Sequence, residues 1–135
     1  MLRGNQIQRG IPQPVYPDPP LQISFKYFEC DSERYALRNC TPEYWDLLIR
    51  ELKRYASITV SAFEFCDNQY ARHTVDPNEE GVDGAEFVGL MEDFDFSNVW
   101  QFGVGPRARG FRVVGILVSP TFFVIRLDPN HQTYA

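Results

Sequence analysis

Hydrophobic and polar residues alternate between positions 21 and 27: Leu21, Ile23, Phe25 and Tyr27 against Gln22, Ser24 and Lys26. This period of two predicts a half-buried β-strand. From position 42 the period changes. Trp45, Leu48, Ile49 and Leu52 recur at helical spacing, with Tyr44 and Tyr55 flanking the stripe and Arg50, Glu51, Lys53 and Arg54 on the other side. Thr41-Pro42 supplies an N-cap followed by proline at the first helical position, where the missing N–H is not needed. A helix over 42–56 is predicted. The next stretch, 57–70, admits two readings. Ile58, Val60, Ala62 and Phe63 could form a strand, or Thr59 could cap a short second helix that packs Phe63 inward; the short helix is preferred. Residues 71–84 are polar and contain Pro77, Gly81 and Gly84, so they read as a loop.

The last third reads as strands. Trp100, Phe102 and Val104 share one parity, and a connection runs from Gly105-Pro106 to Gly110. Two apolar runs, 111–118 and 121–127, flank Ser119-Pro120 as a hairpin. Both are apolar on either parity, which predicts central strands covered on both faces. Asp128-Pro129-Asn130 ends the second run as a turn. The order β-α-α-β-β-β predicts an α+β domain over 21–135: a four-stranded, mainly antiparallel sheet with helices on one face. Ahead of it, residues 1–20 read as an extended arm. Pro12, Pro14, Pro17, Pro19 and Pro20 favour polyproline geometry and forbid helix there.

Composition sharpens this picture in one respect. The 135 residues carry 13 Lys+Arg against 18 Asp+Glu, a net charge of −5, which argues against a general nucleic-acid binder. The charge is unevenly spread. Eight of the acids, Asp76, Glu79, Glu80, Asp83, Glu86, Glu92, Asp93 and Asp95, fall in a window without a single Lys or Arg, leaving ten acids against 13 bases elsewhere. The chain is a mildly basic body with an acidic segment. Positions 1–10 hold Arg3 and Arg9 without an apolar core, and no stretch approaches the roughly 20 apolar residues of a membrane span. Cys30, Cys40 and Cys66 are odd in number and lack CxxC spacing. A cytoplasmic protein with reduced thiols and no membrane segment is expected.

Candidate chemistry is sparse. Gly103-Val104-Gly105-Pro106 fits neither phosphate-loop pattern, and HExxH, GxSxG and EF-hand motifs are absent from the sequence. His73 and His131 are the only histidines; they would need carboxylates such as Asp76 or Asp128 to complete a metal site, so no metal and no cofactor are expected. Arg72-His73 stands beside the acidic segment. Arg112 and Arg126 interrupt the apolar strands, where an arginine must reach a sheet surface or an acid. By parity Arg112 goes with Val114 and Ile116, and Arg126 with Val124 and Phe122. Two uses stay open: a basic spot near His131 that grips phosphate, or structural salt bridges to Asp95 or Asp128.

The element order, and the ending FRVVGILVSPTFFVIRLDPNH, resemble the RelE/ParE-type toxins of bacterial toxin–antitoxin systems over residues 21–127. The segment from Arg112 to Tyr134 is also similar to a small uncharacterised bacterial family with an RVxG…LDPNHxxY-like C-terminus. The first resemblance implies a toxin or effector of a toxin–antitoxin or defence-type system, cutting RNA without a metal. It implies arginine stabilisation of the charged phosphorane and protonation of the leaving oxygen. The matching positions are Arg112, Arg126, His131 and Tyr134, with Arg72, His73 and Asp128 as accessory groups; RNA is the implied substrate. ParE-type relatives bind a protein target instead. The alternative is a non-catalytic interaction module whose N-terminal arm and acidic loop 76–95 dock on a protein partner, an antitoxin or a complex subunit.

Overall fold

The computed structural model describes residues 18–65, 72–90, 92–94 and 99–133. Among these the chain forms an α+β layer in the order β1 (Gln22–Ser24), α1 (Pro42–Tyr55), α2 (Val60–Phe65), β2 (His73–Val75), α3 (Ala85–Leu90), β3 (Val99–Gly103), β4 (Arg112–Val118) and β5 (Thr121–Asp128). The sheet runs β1-β5-β4-β3-β2, with β1 parallel to β5 and every other pair antiparallel. As the two-sided apolar runs required, β4 and β5 lie inside the sheet.

Helix α1 starts where its cap demands. The Thr41 hydroxyl accepts from the Tyr44 N–H at 3.1 Å, and a cap of this kind is worth about 1 kcal/mol. Its buried residues are Tyr44, Leu48, Leu52 and Tyr55. The helix is therefore rotated from the predicted stripe: two flanking tyrosines go inside, while Trp45 and Ile49 stay exposed. Aromatic volume explains the turn. Tyr55 packs edge-on to Phe63 and Phe102, and Tyr44 to Phe111, so the large rings fill the space above the sheet. The short second helix forms as preferred, with the Thr59 hydroxyl accepting from Ala62 N–H at 3.3 Å and Phe63 fully buried.

Three expectations need correction. The sheet has five strands, because His73–Val75, inside the segment read as a loop, pairs with Val99–Gln101. Only Val75 of this strand is buried, so it forms by edge pairing and leaves no alternation to read. Helices cover both faces. Helices α1 and α2 lie over Phe102, Val113, Phe122, Val124 and Leu127, while Phe87 of α3 packs with Val75, Val99, Val114, Ile116 and Ile125 on the other side. Lastly, the parity assigned to Arg126 fails. The register slips between Val114 and Gly115, making Ile125 an extra residue in β5. Val124 stays over the α1 face, but Arg126 pairs with Val114 and moves to the α3 face.

The entry to the domain is tied to the second helix. Val60 N–H donates to the Pro19 carbonyl at 2.9 Å and Ser61 N–H to the Asp18 carboxylate at 3.1 Å. The remainder of the proline-rich arm, Cys66, Asp95 and Tyr134 lie outside the described residues.

Candidate functional site

Arg126 is the centre of a cluster whose members, Glu29, Tyr35, residues 83–87 and Thr133, come from four separate stretches of chain. Its Nε donates to Glu29 Oε1 at 2.9 Å, and Nη2 lies 2.9 Å from the same oxygen. Nη2 also donates to Glu86 Oε2 at 3.0 Å, and Nη1 donates to the Asp83 carbonyl at 2.7 Å and the Thr133 hydroxyl at 3.2 Å. The guanidinium plane sits between two rings, its carbon 4.1 Å from the Tyr35 centroid and 4.7 Å from that of Phe87. Arg126 has 0% exposed surface. A guanidinium is always charged, so burial at this depth requires the acids found beside it.

Those acids answer to the same arrangement. Burial raises the Glu29 carboxyl above its ordinary value, Arg126 draws it back, and the neighbouring Glu86 pushes it up. Tyr35 donates to Asp83 Oδ2 at 2.7 Å, and burial, chiefly, pushes its phenol up to about 12. Asp83 is fixed further by Arg34 at 3.1 Å. The acidic segment therefore divides. Asp83 and Glu86 turn to Arg126, while Asp76, Glu79, Glu80, Glu92 and Asp93 are exposed.

Asp128 serves the chain end. It has 0% exposed surface, and its two carboxylate oxygens accept from the Gln132 and Thr133 N–H groups, each at 2.8 Å. This folds the tail back, so that Thr133 reaches Arg126 and its carbonyl accepts from Asp83 N–H at 2.9 Å. His131 lies in the fold-back with φ of 54°, a left-handed conformation uncommon outside glycine. Arg112 stands directly opposite Asp128 in the β4–β5 ladder. It is 8% exposed, its Nη1 donates to the Phe111 carbonyl at 3.0 Å, and the Tyr44 hydroxyl donates to its own carbonyl at 2.7 Å.

Arg112, Arg126 and Asp128 thus share the α3 face of the sheet, with His131 beside them. The other two accessory residues lie elsewhere. Arg72 lies over the Phe63 and Tyr55 rings at 5.1 and 5.4 Å, beside the helices on the opposite face. His73, on β2, aligns with Gln101, Val114 and Arg126 across the sheet, three strand spacings or about 14 Å from the arginine. Glu29, Tyr35, Phe87 and Thr133 complete the cluster and were not foreseen. A buried arginine does announce that an acid must be near; which acid depends on contacts spanning up to 97 residues, and no local pattern encodes them.

Beside the cluster is an open cleft of about 450 Å³ lined by Tyr27, Phe28, Glu29, Cys30, Asp31, Ser32 and Glu86. Among the described residues no group of three His, Cys, Asp or Glu side chains could hold a metal ion. Among them, too, no helix is long and apolar enough to cross a membrane. Compared with known proteins, the chain matches no family model, no curated protein and no solved structure.

Proposed function

We infer that this chain acts by binding another protein, and that it does not cut RNA. The observation that carries the reading is the enclosure of Arg126. An arginine that stabilises a phosphorane must place its N–H groups on the reacting oxygens. Those of Arg126 meet Glu29, Glu86, the Asp83 carbonyl and Thr133. The segment beside it presents Asp76, Glu79, Glu80, Glu92 and Asp93 outward, a surface that repels a phosphate backbone and suits a basic patch on a protein. Within the RelE/ParE resemblance this is ParE-type behaviour: a toxin- or effector-like chain with a protein target. An antitoxin or a complex subunit would fit the same surface. The arm of residues 1–20 is a second docking element in this reading. A cytoplasmic setting belongs to it as well, with Cys30 and Cys40 as free thiols.

The test has two arms. Purified chain incubated with single-stranded RNA should leave it intact. Partners cross-linked and co-purified with the full chain should be lost when Glu79, Glu80, Glu92 and Asp93 are all changed to lysine. RNA cleavage that disappears in a folded His131→Ala variant would overturn the reading, as would partner capture indifferent to the charge reversal.

A further inference from the structure

Helix α1 carries apolar surface that its own sheet leaves uncovered. With Tyr44, Leu48, Leu52 and Tyr55 turned inward, Trp45 remains 37% and Ile49 60% exposed. The two are one helical turn apart on the same flank, so their side chains form one patch. The charges along this helix are sorted by position. Glu43 and Asp46 lie toward its N-terminus; toward its C-terminus Arg50, Lys53 and Arg54 outnumber Glu51, which pairs with Arg54 at 2.6 Å. An apolar patch with acids at one end and bases at the other complements itself when a second copy is laid antiparallel to it.

We propose that two copies of this chain associate by packing α1 against α1 about a two-fold axis close to Ile49. At a rise of about 1.5 Å per residue, positions equally far from the axis face one another. Each Ile49 then meets its twin, Trp45 of one copy lies opposite Lys53 of the other, and Asp46 stands one residue, about 1.5 Å along the axis, from the same lysine. A parallel arrangement would set acid against acid, which is why the pairing runs antiparallel. The existing partners do not prevent it. Asp46 pairs with Arg50 in the same helix at 3.1 Å with both side chains mostly exposed, and such a pair is worth little. Glu43 is engaged by Arg109 at 3.0 Å, which leaves Asp46 and Lys53 to carry the contact between copies.

The association goes beyond the binding function proposed above and stands apart from it in space. Helix α1 covers one face of the sheet, whereas α3 packs on the other. A dimer built through α1 therefore leaves the acidic surface open on both copies.

Sedimentation equilibrium of the full chain between about 10 µM and 1 mM, the range suited to a small interface, reads this directly. The mass should rise from one copy toward two. Ile49→Glu should weaken association at least tenfold with the circular dichroism spectrum unchanged, because the side chain is exposed. Asp46→Lys and Lys53→Glu should each do the same, and the double variant should restore association. A chain that stays monomeric throughout overturns the proposal, and so does a dimer indifferent to Ile49→Glu or a charge swap that fails to rescue. A monomer that still captures a partner through its acids would sink the dimer alone. A dimer that captures none would sink the binding function alone.

Discussion

Glu29 and Arg126 form a partly buried ion pair across 97 positions of the sequence, with Arg126 Nε donating to Glu29 Oε1 at 2.9 Å. The pair ties β5 to the strand-free stretch before α1. Through the same guanidinium, Glu86, Asp83 and Thr133 join the acidic segment and the chain end to the sheet. The arginine expected as a phosphate-binding group is in effect a clasp holding one face of the domain together.

Removing the clasp should be costly. Arg126→Ala leaves the partly buried Glu29 and the half-exposed Glu86 without their counter-charge, and because the arginine itself has no exposed surface the loss should be about 3 kcal/mol, the low end for breaking a buried pair. Urea denaturation should give a loss of that size, and a loss under about 1 kcal/mol would contradict the structural role. The double variant Arg126→Met with Glu29→Gln should lose less than the sum of its two single changes.

The acid at the clasp has a pH signature. Burial is the largest influence on Glu29 and lifts its carboxyl above the ordinary 4.5. A carboxyl with a raised folded-state pKa holds its proton more readily in the folded chain than in the unfolded one. Its contribution to stability is therefore greatest in acid and declines as pH rises through the folded value. The stability of the native chain minus that of Glu29→Gln should shrink from pH 4.5 toward neutrality. A difference that widens over the same interval would show that the pairing with Arg126 outweighs burial.

Asp128 governs the tail and should be detectable by proteolysis. Its carboxylate accepts from Gln132 and Thr133 N–H, so Asp128→Ala leaves two backbone donors without partners and releases the residue that reaches Arg126. A cost of about 2–3 kcal/mol is expected for charge-assisted bonds of this kind, together with faster carboxypeptidase trimming of the C-terminus. Unchanged trimming would mean the tail is held by something else.

Gly115 marks the bulge that decides where Arg126 points. A Cβ there would collide with the Phe123 carbonyl oxygen and come within 2.8 Å of the Phe122 ring, which cannot retreat from the core. Gly115→Ala should destabilise by about 1–3 kcal/mol, and its effect should not be additive with Arg126→Ala, because both loosen the same crossing of β4 and β5. Strict additivity would argue that the bulge and the arginine are independent.

Local pattern alone determined much of this molecule. The capped helix at Pro42, the short helix bearing Phe63, the two-sided apolar strands β4 and β5 and the uneven charge all follow from neighbours within a few positions. Steric and hydrogen-bonding preferences act at that range. Tertiary structure decided the rest. It formed β2 by edge pairing with little apolar signal, set α3 on the second face, and turned α1 so that its tyrosines went in while Trp45 and Ile49 stayed out. It also reversed the facing of Arg126 through a single extra residue at Ile125. The physical reason is the same in each case. Strand pairing, ring packing and the neutralisation of a buried charge are contacts between distant positions, and each is settled only when both partners are in place.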